Sequence, residues 1–202
     1  MARVALFNYH KIFASLFRHP TFPRMAAAAL ESNHDVVLIS GPVNLAPPAG
    51  ARLVNVITSD EMDAAVREAV RDCDVLVMSA AVSDYKPARV AKTKIKRRDE
   101  NFSLDLIPAR DILKSLPRSR NFFVVGCAAE TNDVEEHARA KLAVKNCDMM
   151  VANDVSDPTI GMESDENAVT IFSRDGEIEK ISRASKKIIA RALVKKICAN
   201  AK

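Results

Sequence analysis

The sequence contains one unusually basic segment, Lys86–Arg98 (KPARVAKTKIKRR), which holds seven lysines or arginines and no acid. It follows the predicted buried strand DVLVM and the segment SAAVSD, in which that strand is expected to end. Lysine is a mobile point charge that suits phosphate oxygens. Two interpretations follow: a flap whose lysines close over a polyphosphate, or an exposed basic loop, including one that binds nucleic acid or acts in targeting.

Two further lysines lie in a predicted helix, Asp133–Asn146. With its first apolar residue, Val134, set at 0°, Lys141 falls at about −20° and Lys145 at about +20°, on the apolar side. Lysine is rarely buried without a partner. These side chains therefore either extend from the core edge to solvent, form internal ion pairs, or line an anionic site. In a site, we expect them to repel each other while it is empty.

Acidic and amide side chains also follow predicted strands. Asp84 comes just after SAAVS, and Asn153 and Asp154 follow the apolar segment DMMVA. A carboxylate at the end of a strand is suited to binding a ribose or a cation. The alternative for all three residues is ordinary turn chemistry.

Composition and charge narrow the class of protein. Of the 202 residues, 48% are hydrophobic, enough for one sizeable core, and no apolar run approaches the ~20 residues of a membrane span. Nineteen of the 30 basic residues lie in three acid-free segments, at 1–30, 86–98 and 180–202, which leaves the rest of the chain strongly acidic. This distribution argues against a general nucleic-acid binder. The five glycines are at least nine residues apart, which excludes GxGxxG and GxxxxGK phosphate loops.

The cysteines and histidines form no metal-binding pattern. The four cysteines are widely spaced among apolar residues, which predicts reduced, mostly buried thiols in a cytoplasmic protein. The four histidines are scattered along the chain. We therefore predict no metal site built from protein ligands alone.

The order of predicted elements indicates an α/β fold. Short apolar strands alternate with helices, which is typical of a mainly parallel sheet covered on both faces, in three layers, with ligands beyond the carboxyl ends of the strands. A C-terminal hairpin and helix follow, and we expect that helix to pack on the sheet; contact with a membrane surface is the alternative. The predicted strands are Val4–Phe7, Asp35–Ser40, Arg52–Ile57, Asp74–Met78, Phe102–Ile107, Phe122–Cys127, Asp148–Ala152, Ala168–Phe172 and Glu177–Ile181, and the predicted helices are Pro23–Ser32, Thr58–Asp72, Asp111–Leu116, Asp133–Asn146 and Arg183–Ala199. Residues 83–98 are predicted to be a long loop.

Several segments resemble the phosphopantothenate–cysteine ligase family of the bacterial, CTP-using type. The resemblance covers roughly residues 34–175, and its most specific part is the long run that contains AAET, VEEHARAK and ANDVS. The resembling segments are DVVLISGPVNLAPP (35–48), VLVMSAAVSDYKP (75–87), KTKIKR (92–97), VVGCAAETNDVEEHARAKLAVKNCDMMVANDVS (124–156) and SDENAV (164–169).

The resemblance implies a reaction and its participants. In this family CTP activates 4′-phosphopantothenate as an acyl-cytidylate, and the amine of cysteine then displaces CMP. The resemblance also implies a Rossmann-like sheet and a homodimer. It implies Mg²⁺ held through the nucleotide phosphates, with Asp84 as a candidate ligand. A phosphopantothenoylcysteine decarboxylase is implied as a separate partner, and no nucleic-acid or membrane partner is implied. Lys94 is the implied catalytic residue, through charge stabilisation. The implied nucleotide-binding positions are Met78, Ser79, Ala80, Asp84, Lys94, Ala109, Arg110, Asp111, Ile112, Cys127, Lys141 and Lys145.

The sequence departs from the family pattern at three places. Residues 109–112 read ARDI instead of the usual Asn-Pro-Asp-Ile, and Cys127 replaces an aromatic residue. The family's Asn-x-Ser-Ser-Gly-Lys-Met-Gly segment, whose Asn helps convert the acyl-cytidylate to product, is replaced by RHPTFPRMAAAALESNH (18–34). We therefore expect one ligase-like domain over residues 1–202, atypical over 1–33; the alternative is a catalytically impaired or inactive nucleotide-binding homologue.

Overall fold

A computed structural model of the chain describes residues 3–8, 21–43, 46–97, 99, 101–130, 132–154 and 164–201. These segments form ten strands and four α-helices, with a 3₁₀ turn at Val70–Asp72. The strands are β1 (Arg3–Asn8), β2 (Asp35–Ser40), β3 (Arg52–Asn55), β4 (Val75–Met78), β5 (Tyr85–Pro87), β6 (Leu106–Pro108), β7 (Phe123–Glu130), β8 (Met149–Asp154), β9 (Glu166–Ser173) and β10 (Ile178–Ser185). The helices are α1 (Thr21–Glu31), α2 (Ser59–Ala69), α3 (Val134–Val144) and α4 (Lys186–Asn200).

Eight strands form one sheet in the order β10-β9-β8-β7-β4-β1-β2-β3. The six strands from β3 to β8 in this order are parallel, and β9 is antiparallel to both of its neighbours. The short strands β5 and β6 pair separately as an antiparallel hairpin. The predicted mainly parallel sheet is confirmed, and β1 is part of it between β2 and β4.

Helices cover the sheet on both faces, which confirms the three-layer prediction. One core cluster lies between the sheet and the α1/α4 layer, where Met25 of α1 and Leu193 of α4 are buried. The other lies under the α2/α3 layer and includes Met62 of α2 and Ala138 of α3. Successive side chains of β2 and of β4 belong to opposite clusters, as a sheet buried on both faces requires.

The C-terminal prediction is confirmed with shifted boundaries. The hairpin of β9 and β10 forms, but β10 continues to Ser185, whose side chain caps the next helix by accepting from the backbone N–H of Ile188. Helix α4 buries Ile189, Leu193 and Ile197 against the sheet, while Ile188 is exposed. Its apolar face is thus used for packing. Among the described residues, no helix is long and apolar enough to cross a membrane.

Two predicted elements are wrong. Residues 111–116 form consecutive turns instead of a helix, with the backbone N–H of Lys114 donating to Asp111 Oδ1. The strand predicted over 102–107 is reduced to β6, which pairs with Tyr85–Pro87 inside the segment predicted to be loop. Both errors have the same cause, because these short segments depend on distant residues: Ile112 and Leu116 are buried in the α2/α3 core, and β6 pairs with β5.

The cysteines are free thiols, as predicted, but only Cys147 is fully buried and the other three are half-buried. Burial raises the pKa of Cys73 and of Cys127 to about 12 and that of Cys147 to about 11. Thiols with such values are almost fully protonated at neutral pH and therefore react slowly.

The start of α2 offers a stability prediction. Thr58 Oγ1 accepts from the backbone N–H of Glu61 at 3.1 Å, and the Glu61 carboxylate accepts from the backbone N–H of Thr58 at 3.3 Å, which together form a capping box. Thr58→Ala should lower the free energy of unfolding by about 1 kcal/mol, since a helix N–H loses its acceptor. Urea unfolding of this variant beside Thr58→Ser measures it; equal midpoints for the two variants would contradict the prediction.

Candidate functional site

The carboxyl ends of the parallel strands meet at one edge of the sheet. Strand β4 ends at Met78, and its neighbour β7 pairs with it and continues four residues further, to Glu130. Ser79 and Ala80 follow β4 at this edge, and the exposed residue Asp84 lies just beyond. Met78 itself is buried in the core of the α2/α3 face, so a ligand here contacts its backbone or the residues after it.

The segment Ala109–Ile112 is tied to this edge from two sides. The backbone N–H of Ala109 donates to the carbonyl of Asp84 at 2.8 Å. Arg110 Nη1 lies 3.5 Å from Asp63 Oδ2 of α2. The side chain of Ile112 is buried in the α2/α3 core. The segment is therefore fixed, with Arg110 and Asp111 left at the surface of the site.

Helix α3 presents its lysines to carboxylates of the same site. Lys141 Nζ lies 2.5 Å from Glu130 Oε1 at the end of β7, and Lys145 Nζ lies 3.8 Å from Asp111 Oδ2. Their side chains are 45% and 36% exposed. Helix α3 thus joins Glu130 to the Ala109–Ile112 segment through two ion pairs.

These contacts correct one expectation. We expected Lys141 and Lys145 to repel each other in the empty site, but each lies beside its own carboxylate. The structure contains ion pairs, as one of the alternatives for these lysines required, but both lysines remain partly exposed. The empty site holds alternating charges, and an incoming anion must compete with Glu130 and Asp111 for the lysines.

A substitution of Lys145 separates binding from stability. Exposed ion pairs contribute only about 0–1 kcal/mol, so Lys145→Met should change the melting temperature by no more than a few degrees. If Lys145 binds an anionic ligand, the same variant should lose part of the stabilisation that CTP with Mg²⁺ gives the unsubstituted chain. Thermal melts with and without CTP measure both effects. A clearly lower melting temperature with unchanged stabilisation by CTP would show a packing role instead.

The basic segment is carried by a small antiparallel arm, residues 85–108, made of β5, β6 and the loop between them. The arm is anchored to α2, because Lys86 Nζ donates to both oxygens of Asp60 at 2.7 and 2.6 Å. Lys94 lies in the exposed loop of the arm and forms no ion pair with any residue in the described segments. The arm thus leaves Lys94 available for a ligand, as the flap interpretation requires.

Cys127 lies on a different face from the lysines. It pairs with Val151 in the sheet and packs against the core cluster of the α1/α4 face. Its neighbour Ala128 faces the α2/α3 side. The structure therefore groups Met78, the Ala109–Ile112 segment, Lys141 and Lys145 on the α2/α3 side of the edge, and it does not bring Cys127 to them.

Sequence reasoning missed three residues of this cluster. Asp63 contacts Arg110, and Glu130 contacts both Lys141 and His137, whose Nδ1 lies 3.4 Å from Glu130 Oε2. His137 precedes Lys141 by one helical turn, a spacing that could have placed the two on one face. Glu130 and Asp63 carried no comparable signal. In the described part of the chain, no group of three or more His, Cys, Asp or Glu side chains is arranged to hold a metal ion.

The sequence is similar to known proteins. The sequence profile of the family described as "DNA/pantothenate metabolism flavoprotein C-terminal domain" matches residues 23–200. The "Coenzyme A biosynthesis bifunctional protein CoaBC" of Escherichia coli K12 is 42% identical over 158 residues, which cover 76% of this chain and 39% of the relative. Its Bacillus subtilis counterpart is 39% identical over 180 residues, covering 88% and 44%. The chain thus spans about two fifths of the length of these relatives.

Solved structures show the same fold. The crystal structure of the C-terminal domain of CoaBC superposes with a TM-score of 0.78 at 31% identity, covering 97% of this chain and 93% of that one. A structure of Cab2 carrying H337A in complex with phosphopantothenate-cysteine superposes with a TM-score of 0.73 at 14% identity, covering 99% and 88%. The second likeness is evidence for the fold alone.

Proposed function

Because the chain belongs to the family of DNA/pantothenate metabolism flavoprotein C-terminal domains, we propose that it joins 4′-phosphopantothenate to cysteine with CTP, in coenzyme A biosynthesis. The carboxylate of 4′-phosphopantothenate attacks the α-phosphate of CTP and pyrophosphate leaves. The amine of cysteine then attacks the acyl carbon of the acyl-cytidylate, and CMP leaves. The CoaBC relatives and the CoaBC C-terminal domain structure support this proposal.

The observation that carries the proposal is the cluster of Lys141, Lys145 and the Ala109–Ile112 segment at the carboxyl edge of the sheet. The first chemical step brings an anionic carboxylate against a triphosphate of about four negative charges. Cations fixed beside the phosphates reduce that repulsion and stabilise the leaving pyrophosphate. Lys141 of α3 and Lys145, the C-cap residue of that helix, supply such charges, and Lys94 supplies another from the arm.

The residues present fit a magnesium ion carried in with the nucleotide. Mg²⁺ is usually held by one or two carboxylates together with substrate phosphates. Asp84, exposed at the edge after β4, offers one such carboxylate. When bound, Mg²⁺ would neutralise phosphate charge as the lysines do.

We propose that the arm also takes part in a homodimer. Both strands of the two-stranded β5–β6 sheet have an unpaired edge among the described strands. Several large apolar side chains of these two strands and of the residues just before β6 are exposed, which is unusual for so many large residues close together. They are Tyr85, Phe102, Leu104, Leu106 and Ile107. The decarboxylase that acts on the product would be a further partner.

The proposed function is tested by the pyrophosphate released from CTP. We expect release that depends on 4′-phosphopantothenate, that needs Mg²⁺ and that is much slower with ATP. Mixtures lacking 4′-phosphopantothenate serve as the control. Release that is independent of 4′-phosphopantothenate, or absent while CTP still binds, would point to the alternative of an inactive nucleotide-binding homologue.

A further inference from the structure

One carboxylate of the site contacts two different kinds of base. Glu130, whose side chain is only 11% exposed, lies 2.5 Å from Lys141 Nζ with one oxygen and 3.4 Å from His137 Nδ1 with the other. Lysine stays charged throughout the neutral range, whereas a histidine side chain ordinarily titrates near pH 6.5. Glu130 thus lies between a permanent cation and a side chain that can bind a proton reversibly.

His137 extends the row of cations on α3. Residues 137, 141 and 145 are spaced four apart, so that they fall at about −60°, −20° and +20° around the helix. Helix α3 follows β7 and begins at Val134. His137 is thus the member of the row nearest to the carboxyl edge, where ligands of such sheets bind.

Few other charges face this imidazole. Among the described residues, Glu130 is the only acid within ion-pair distance of His137. Lys141 shares that carboxylate, and Arg139, on the same helix, pairs with Glu135. The side chain of His137 is 44% exposed, so the ring is accessible to a ligand and not held by packing.

We propose that His137 is the third cation of the nucleotide site and that it takes up a proton when the triphosphate binds. The inference rests on the proposed function. In the empty site Lys141 already balances the charge of Glu130. A triphosphate that draws Lys141 to its own oxygens leaves Glu130 and several phosphate charges beside His137, and nearby negative charge favours the protonated imidazole.

The direction of the pH dependence follows from this uptake. A ligand that binds the protonated form better binds more tightly as the pH falls through neutrality. A change of one pKa unit on binding corresponds to a tenfold change in affinity. We therefore expect the ratio of CTP affinities at pH 6 and pH 8 to be about three- to tenfold larger for the unsubstituted chain than for His137→Gln.

Calorimetric titrations of CTP with Mg²⁺ at pH 7, in two buffers that differ in ionisation enthalpy, measure the proton uptake directly. The unsubstituted chain should take up about half a proton more than His137→Gln. The comparison removes the protonation of CTP itself, which is common to both. His34→Gln is the matched control, because His34 lies just before β2 at the other edge of the sheet, beside Cys198, and it should behave like the unsubstituted chain.

Three outcomes are informative. A deficit of proton uptake in His137→Gln alone supports the inference. Equal uptake and equal pH ratios in all three proteins would overturn it while leaving nucleotide binding intact. An absence of CTP binding by the unsubstituted chain would overturn the proposed function, and this inference with it.

Discussion

The unsubstituted chain is expected to bind CTP but to form phosphopantothenoylcysteine about 10²–10³-fold more slowly than relatives that carry the Asn-x-Ser-Ser-Gly-Lys-Met-Gly segment. That range is the usual cost of losing one group that stabilises a transition state. The proposed nucleotide-binding positions, from Met78 onward, are mostly present, with departures in the 109–112 segment and at Cys127, whereas the Asn segment is replaced by RHPTFPRM at 18–25. Binding energy shared equally by ground and transition states does not accelerate the second step. The stretch 9–20, before α1, lies outside the described residues.

The rates of the two steps separate this prediction from a general loss of activity. Pyrophosphate should appear faster than the amide, because activation does not need the missing Asn. A graft of the family's Gly/Thr-rich loop and Asn segment in place of residues 7–25 should restore turnover. Fast cysteine-dependent turnover by the unsubstituted chain would contradict the prediction and point to another residue. Asn8 would be the first to test, since it ends β1 at the same edge of the sheet.

Lys94→Ala is expected to weaken CTP binding by about 1.5–3 kcal/mol, or roughly 10- to 150-fold, the scale of a charge-assisted hydrogen bond. The fold should not change, because Lys94 lies in the exposed loop of the arm and contacts no acid in the described segments. Calorimetry measures the affinity, and circular dichroism checks the fold.

Lys92→Ala is the matched control for this substitution. Lys92 is an exposed lysine of the same loop, two residues away. If the basic segment attracted CTP only through its overall charge, the two variants would lose the same amount of CTP affinity, and this loss would disappear at high salt. A loss confined to Lys94→Ala supports a specific contact. Unchanged affinity in Lys94→Ala would reject the flap.

The sheet could be predicted because its strands are short apolar runs bounded by polar residues. Asp35–Ser40 is the clearest case, with identical predicted and observed limits. The capping box of Thr58 and Glu61 is a similarly local feature, since it needs only two residues three apart. The arm could not be predicted, because β5 and β6 are three residues each and pair across an 18-residue loop. Nothing in the local pattern of Tyr85–Pro87 indicates its partner.

The site was predicted in part for a similar reason. Helical spacing predicts that Lys141 and Lys145 point the same way, and it depends on one element only, although Lys145 is the C-cap residue just after α3. The carboxylates opposite them come from β7 and from the turn after β6, and their approach depends on the tertiary fold. The face on which Cys127 lies is a similar case. Alternation separates it from Ala128, but the sequence does not say which face carries α3.

The central claim is that this chain activates 4′-phosphopantothenate with CTP at the edge that carries Lys141 and Lys145. Its most direct test is a rapid-quench experiment with CTP, Mg²⁺ and 4′-phosphopantothenate but no cysteine, with the acyl-cytidylate and pyrophosphate measured together. We predict that both form in equal amounts, up to one equivalent per site, and that a Lys141→Met, Lys145→Met double variant forms neither at the same CTP concentration. Absence of acyl-cytidylate at saturating CTP, or full formation by the double variant, would contradict the claim.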